Sequence, residues 1–151
     1  MKGMTLIVKT ITDFVVAFIV VFGAYIVLYG HLTPGGGFAG GVIIACAFIL
    51  LMLAHGRDQA FARLPEKVAH ALDSSGALAF LIIGWIGLSG GFFFLNVFGK
   101  GEMFRLLSSG MILPLNIAIA FKVGSSLFLV FAALAMFRRK SFRSMIEEEL
   151  S

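Results

Sequence analysis

An all-α integral membrane bundle of four helices, with a glycine-rich connection between the first two, is the fold this sequence predicts. Three observations lead there. Of the 151 residues, 60% are hydrophobic and 13% are charged, whereas soluble domains carry about 25% charged residues. The mean hydropathy of +1.02 is that of a chain solvated by lipid. Apolar stretches close to the roughly 20 residues that cross a hydrocarbon core recur four times. Strands are excluded because a lone four-segment chain cannot close a barrel, and lipid tolerates no open sheet edge.

The first span is expected over 5–29. Its apolar run from Phe14 to Leu28 reads as a span rather than a cleaved signal, since no small-residue site precedes a polar mature chain. The second is expected over 38–54, near the lower length limit for a straight crossing. The third is expected over 75–97 and the fourth over 109–137, all within one membrane domain.

Lysine and arginine counts set the orientation. Lys2, Lys9, Arg57, Arg63, Lys67, Arg138, Arg139, Lys140 and Arg143 fall on one side of such a bundle, against Lys100 and Arg105 on the other. Nine against two predicts cytoplasmic N- and C-termini and an outward glycine segment. The net charge of +4 therefore reads as topology, not as a nucleic-acid surface. Phe61, Leu64, Val68 and Leu72 recur at helical intervals in the basic loop, which fits either a short interfacial helix after or around Pro65 or an ordered polar loop. The single cysteine, Cys46, lies in an apolar run and has no intrachain disulfide partner.

Residues 31–41 read HLTPGGGFAGG. Gly35, Gly37 and Gly40 satisfy G-x-G-x-x-G, but that pattern binds dinucleotides only between a strand and a helix, and here it joins two spans. Pro34 stops a helix, and Gly36/Gly40 and Gly37/Gly41 form small-xxx-small pairs that let another helix approach. His31 adds a second reading, because an imidazole below the membrane surface titrates near neutrality and can relay protons. A packed turn and an ion-relaying turn both stand at this point.

Lys122 sits eleven residues after Met111 and fifteen before Phe137, near the middle of the fourth span. A cation there costs on the order of 2.5–3.5 kcal/mol by insertion scales, so it must face a partner or a hydrated cavity. Asp13, Asp73 and Glu102 are the candidate acidic partners, none expected at its depth. The partner is therefore expected on another subunit, the alternative being a lysine that snorkels to water. Asn116 lies about 600° of helical rotation away, on a different face, and Pro114 is expected to bend the helix near its outer end. The chain offers no catalytic carboxylate pair and no metal-spaced Cys/His set, and His31, His55 and His70 are scattered.

"GHLTPGGGFAGGVI" and "LPLNIAIAFKVG" together resemble the B subunit of multisubunit Mrp/Mnh-type sodium/proton antiporters. The same small subunit recurs in group 4 membrane-bound hydrogenases and related archaeal respiratory complexes. The family's first motif falls on His31, Pro34, Gly35, Gly36, Gly37, Phe38, Gly40 and Gly41, and the second on Pro114, Asn116, Lys122 and Gly124. Bacterial antiporter members often carry Asn after the His, where this chain has Leu32.

The resemblance implies a small subunit that works among other membrane subunits in the cell membrane and is not an enzyme on its own. It implies no cofactor in this chain, with Na+ and H+ as the ions the complex moves. Lys122, His31, Asn116 and Asp13 are the ion-path candidates, and the glycine and proline positions are structural. A scaffold subunit with no part in the ion path is the alternative.

Overall fold

The computed structural model describes the backbone of residues 4–96 and 109–149, and side chains as far as Arg138. These residues are all-helical, as expected: α1 (Leu6–Leu28), α2 (Gly36–His55), α3 (Arg57–Arg63), α4 (Glu66–Leu88) and α5 (Ile112–Glu149). α1, α2, α4 and the Ile112–Arg138 part of α5 are long and apolar enough to cross a membrane.

The spans interlock through small residues, since lipid is as apolar as leucine and only close packing favours helix contact. α1 and α2 run antiparallel: Gly23 faces Gly40, and the Met4 N–H donates to the Ala54 carbonyl at 3.0 Å. α2 and α5 run parallel, Gly37 meeting Asn116, Gly41 meeting Ala120, and the Phe48 ring lying 6.0 Å from that of Phe128. α4 and α5 are antiparallel, with Gly76 between Ala118 and Lys122. Burial follows this order, 44% for the α2 window and 33% for α5, against 22% for α1 and 17% for α4. α2 and α5 are therefore central, and α1 and α4 flank an open bundle.

The glycine segment divides differently from the expected boundaries. Only the turn up to Gly35 is irregular, held by the Leu32 and Thr33 N–H groups donating to the Tyr29 carbonyl. Gly35 has φ 144°, a conformation that only glycine adopts readily. Gly36 through Gly41 already belong to α2, so most of the glycines pack helix against helix.

The third span also shifts. α4 begins after Pro65 at Glu66, nine residues before the expected start, because proline is well placed immediately before a helix and the amphipathic segment continues into the span. It stops at Leu88 instead of running to 97. Gly91, at φ 105°, reverses the chain, and the Phe94 N–H turns back to the Gly84 carbonyl at 3.4 Å. Val97 itself lies outside the described residues.

The interfacial helix expected around Pro65 lies before it, as α3. Its Ala60 is fully buried, and Phe61 and Leu64 pack on a cluster of Leu51, Met52, Ala69, Phe128 and Ala132. α3 thus closes one end of the bundle, while Val68 faces outward. Pro114 corrects another expectation. It falls in the first turn of α5, where its missing N–H has no helical partner to lose, so it stands at the start of the helix and not within it.

Candidate functional site

Lys122 finds its partner inside this chain. Its Nζ donates to Asp73 Oδ1 at 2.7 Å, and the Ser126 hydroxyl donates to the same oxygen. This overturns the expectation of a partner only on another subunit. The physical reason is the early start of α4. With the helix beginning at Glu66, Asp73 is not in a surface loop but seven residues along, roughly 10 Å at 1.5 Å per residue. Gly76, one turn further, carries no side chain to hold α4 away from the Lys122 backbone.

The pair is half-open. The Lys122 side chain keeps 44% of its exposure and that of Asp73 24%. An ammonium has three donors, and among the described residues one of them is used. Ser125 beside it is buried and turns back to the Phe121 carbonyl at 2.5 Å, so it contributes to the helix and not to the pair.

Asn116 lies on another face, as the helical spacing requires. It abuts Gly30, Gly36 and Gly37 at the turn between α1 and α2. Its Nδ2 and both ring nitrogens of His31 are enclosed without a hydrogen-bond partner among the described residues. Buried polar groups in proteins are satisfied almost without exception, so the partners of these atoms lie beyond the described residues. Phe38 faces outward from it, 63% exposed.

Asp13 is separated from all of these. It lies at the α3 end of the bundle, where Arg63 donates to its Oδ1 at 3.3 Å and His55 Nε2 approaches to 3.2 Å without hydrogen-bond alignment. The Arg63 side chain is 57% exposed. Exposed pairs of this kind contribute about 0–1 kcal/mol. Arg63→Ala is accordingly expected to leave the yield and thermal midpoint of the purified protein within about 1 kcal/mol of the parent. A larger loss would mean that this pair clamps α3 to α1.

The structure therefore distributes the expected residues over three places: Lys122 in the α4–α5 seam, His31 and Asn116 at the α1–α2 turn, and Asp13 at the opposite end. Asp73 and Ser126 join the site as members. The sequence held a signal for both, since an acidic and a hydroxyl residue each sit within an otherwise apolar span. Among the described residues no three His, Cys, Asp or Glu side chains converge as metal ligands.

Residues 7–137 match the family described as a domain related to the MnhB subunit of Na+/H+ antiporters. An uncharacterized protein of Methanocaldococcus jannaschii is 38% identical over 111 residues, which are 69% of this chain and 42% of that protein. The protein of Staphylococcus saprophyticus provisionally assigned as antiporter subunit mnhB2 is 38% identical over 54% of this chain and 57% of its own. The chain spans about half the length of the curated relatives it matches. A chain in the structure of the membrane-bound sulfane sulfur reductase, an archaeal respiratory membrane complex, superposes with a TM-score of 0.71 at 34% identity. That match covers 82% of this chain and 55% of the other. Since the matched stretch takes in nearly the whole of all four spans and the three glycine-lined seams between them, the chain belongs to the family of domains related to the MnhB subunit of Na+/H+ antiporters.

Proposed function

We propose that this chain is a small membrane subunit of a multisubunit sodium/proton antiporter module, either free-standing or built into a respiratory complex. One observation supports this above the rest: Lys122, Asp73 and Ser126 form a charged, half-open cluster inside a membrane span. Intramembrane ionisable groups are costly and mark ion or proton paths. Protonating Asp73 or bringing a cation to it would release the Lys122 ammonium, which gives the pair two states.

The remaining parts fit the same role. The polar atoms of His31 and Asn116 that have no partner among the described residues suit contact with neighbouring subunits or water at the α1–α2 turn. α1 exposes Phe14, Phe18, Val21 and Phe22 to lipid or to such neighbours. The excess of basic residues in the N-terminal segment, the 57–67 segment and the tail supports an orientation with the α3 end and both termini on the cytoplasmic side of the cell membrane under the positive-inside rule. The transported ions are Na+ and H+, and the chain brings no cofactor of its own.

Sodium-driven proton flux in proteoliposomes of the purified complex tests the reading. Lys122→Ala is expected to lower that flux about tenfold or more while all subunits are still recovered together. Parental flux from an intact complex would favour the scaffold reading, for which the close α2–α5 glycine packing is the supporting observation. Mass spectrometry of what co-purifies with this chain would separate a free-standing antiporter from a respiratory complex.

A further inference from the structure

A cleft of about 310 Å³ opens between α4 and α5 at the α3 end of the bundle. Leu129, Val130, Ala132, Ala133 and Met136 of α5 and Phe61 of α3 form its apolar walls, and Glu66 and His70 of α4 are its polar lining. Glu66, His70 and Asp73 stand at positions i, i+4 and i+7 of one helix, so they share a face. Successive members are roughly 6 and 4.5 Å apart along the axis. The last of them is the carboxylate that holds Lys122. On α5 the same direction leads from Val130 to Ser126, which bonds that carboxylate.

We propose that this cleft is a one-sided proton access path, in which Glu66 and His70 conduct protons from the α3 side of the membrane to Asp73. The proposal rests on the ion-path reading of the Asp73–Lys122 pair and gives it a route and a side. A proton leaving water at the mouth passes by Glu66 to the free nitrogen of His70, and from His70 to Asp73. Asp73 then becomes neutral, the pair changes from net zero to +1, and the Lys122 ammonium loses its counter-charge. Withdrawal of the proton along the same path restores the pair.

Among the described residues, the charged groups around this path are few. From α3, Arg57 stands 4.0 Å from Glu66 and over the Phe61 ring at 5.0 Å, which holds a cation at the mouth. From α5, Lys122 faces Asp73, and the α5 residues along the cleft itself are apolar. His70 is therefore the one imidazole between the mouth and the pair among the described residues. Its neutral form offers a donor and an acceptor at once, as a relay requires. An acyl chain or a neighbour's apolar helix is the competing occupant of the cleft's apolar walls.

Two measurements on the intact complex decide it. In a Cys46→Ser background, Ala133→Cys in sealed vesicles is expected to react with a membrane-impermeant methanethiosulfonate from the α3 side only. His70→Ala is expected to lower proton-coupled flux about tenfold or more with the complex intact, and added imidazole to restore part of it. An unreactive Ala133→Cys would show the cleft filled by lipid or a partner, which overturns the proposal. Parental flux in His70→Ala beside an inactive Lys122→Ala overturns the access path alone. Parental flux in both variants overturns the ion-path reading beneath it as well.

Discussion

Asp73→Ala is expected to destabilise the assembled protein by about 2.5–3.5 kcal/mol, the cost of an unpaired cation in the middle of a span. The parent places the Lys122 ammonium 2.7 Å from the carboxylate, and the Ser126 hydroxyl alone cannot neutralise it. Lys122→Ala leaves the mirror problem, an unpaired carboxylate between two helices. Removing both charges together is expected to cost less than either single change, because breaking an ion pair within a span leaves one charge without its counter-charge, whereas deleting both leaves none. The dissociation temperature of the complex in mild detergent, read for both single variants and the double, forms the cycle that checks this. A double variant whose loss equals the sum of the singles would mean that the two groups are independently solvated. Exchanging them, as Asp73→Lys with Lys122→Asp, is expected to restore stability better than transport, since the path senses which helix carries the proton-binding group.

Gly37→Val is the other large effect. A side chain at Gly37 would collide with the Asn116 carbonyl oxygen and lie within 2.8 Å of its carbonyl carbon and Cα. The obstacle is backbone, not the end of a flexible side chain, so α2 and α5 must separate. Overpacking of this kind typically costs about 1–3 kcal/mol, occasionally more, and here it falls on the two central helices. Loss of the complex from a tagged purification is the expected result. Gly124→Ala is the matched control. Its nearest neighbour is the Gly41 carbonyl oxygen at 3.4 Å, an ordinary contact, and alanine favours a helix over glycine by roughly 1 kcal/mol. Assembly and melting are expected to hold or improve there. If both variants assemble normally, the α2–α5 seam is looser than its contacts imply.

These two results depend on different kinds of information in the chain. Four apolar stretches and Lys122 within a span were legible as sequence, because the length and cost of a membrane crossing are fixed by the bilayer and not by the fold. The separation of Asn116 from Lys122 was legible too, since helical geometry alone dictates it. The two motifs likewise sufficed to show the family resemblance. Helix boundaries were not. Pro65 was compatible with a loop or a helix start, and that choice moved Asp73 from a surface loop into the membrane beside Lys122.

Partnership across 49 residues is a property of how α4 lies on α5, and Gly76 permits it only once the two helices are placed together. The same holds for the glycines of the α1–α2 connection. Sequence identified them as close-approach residues, but only packing decided that Gly37 and Gly41 meet α5 while Gly40 meets α1. Local chemistry thus determined what must cross the membrane and what is costly within it. Tertiary contact alone decided which charge answers which, because side chains far apart in the chain become neighbours only when the helices pack.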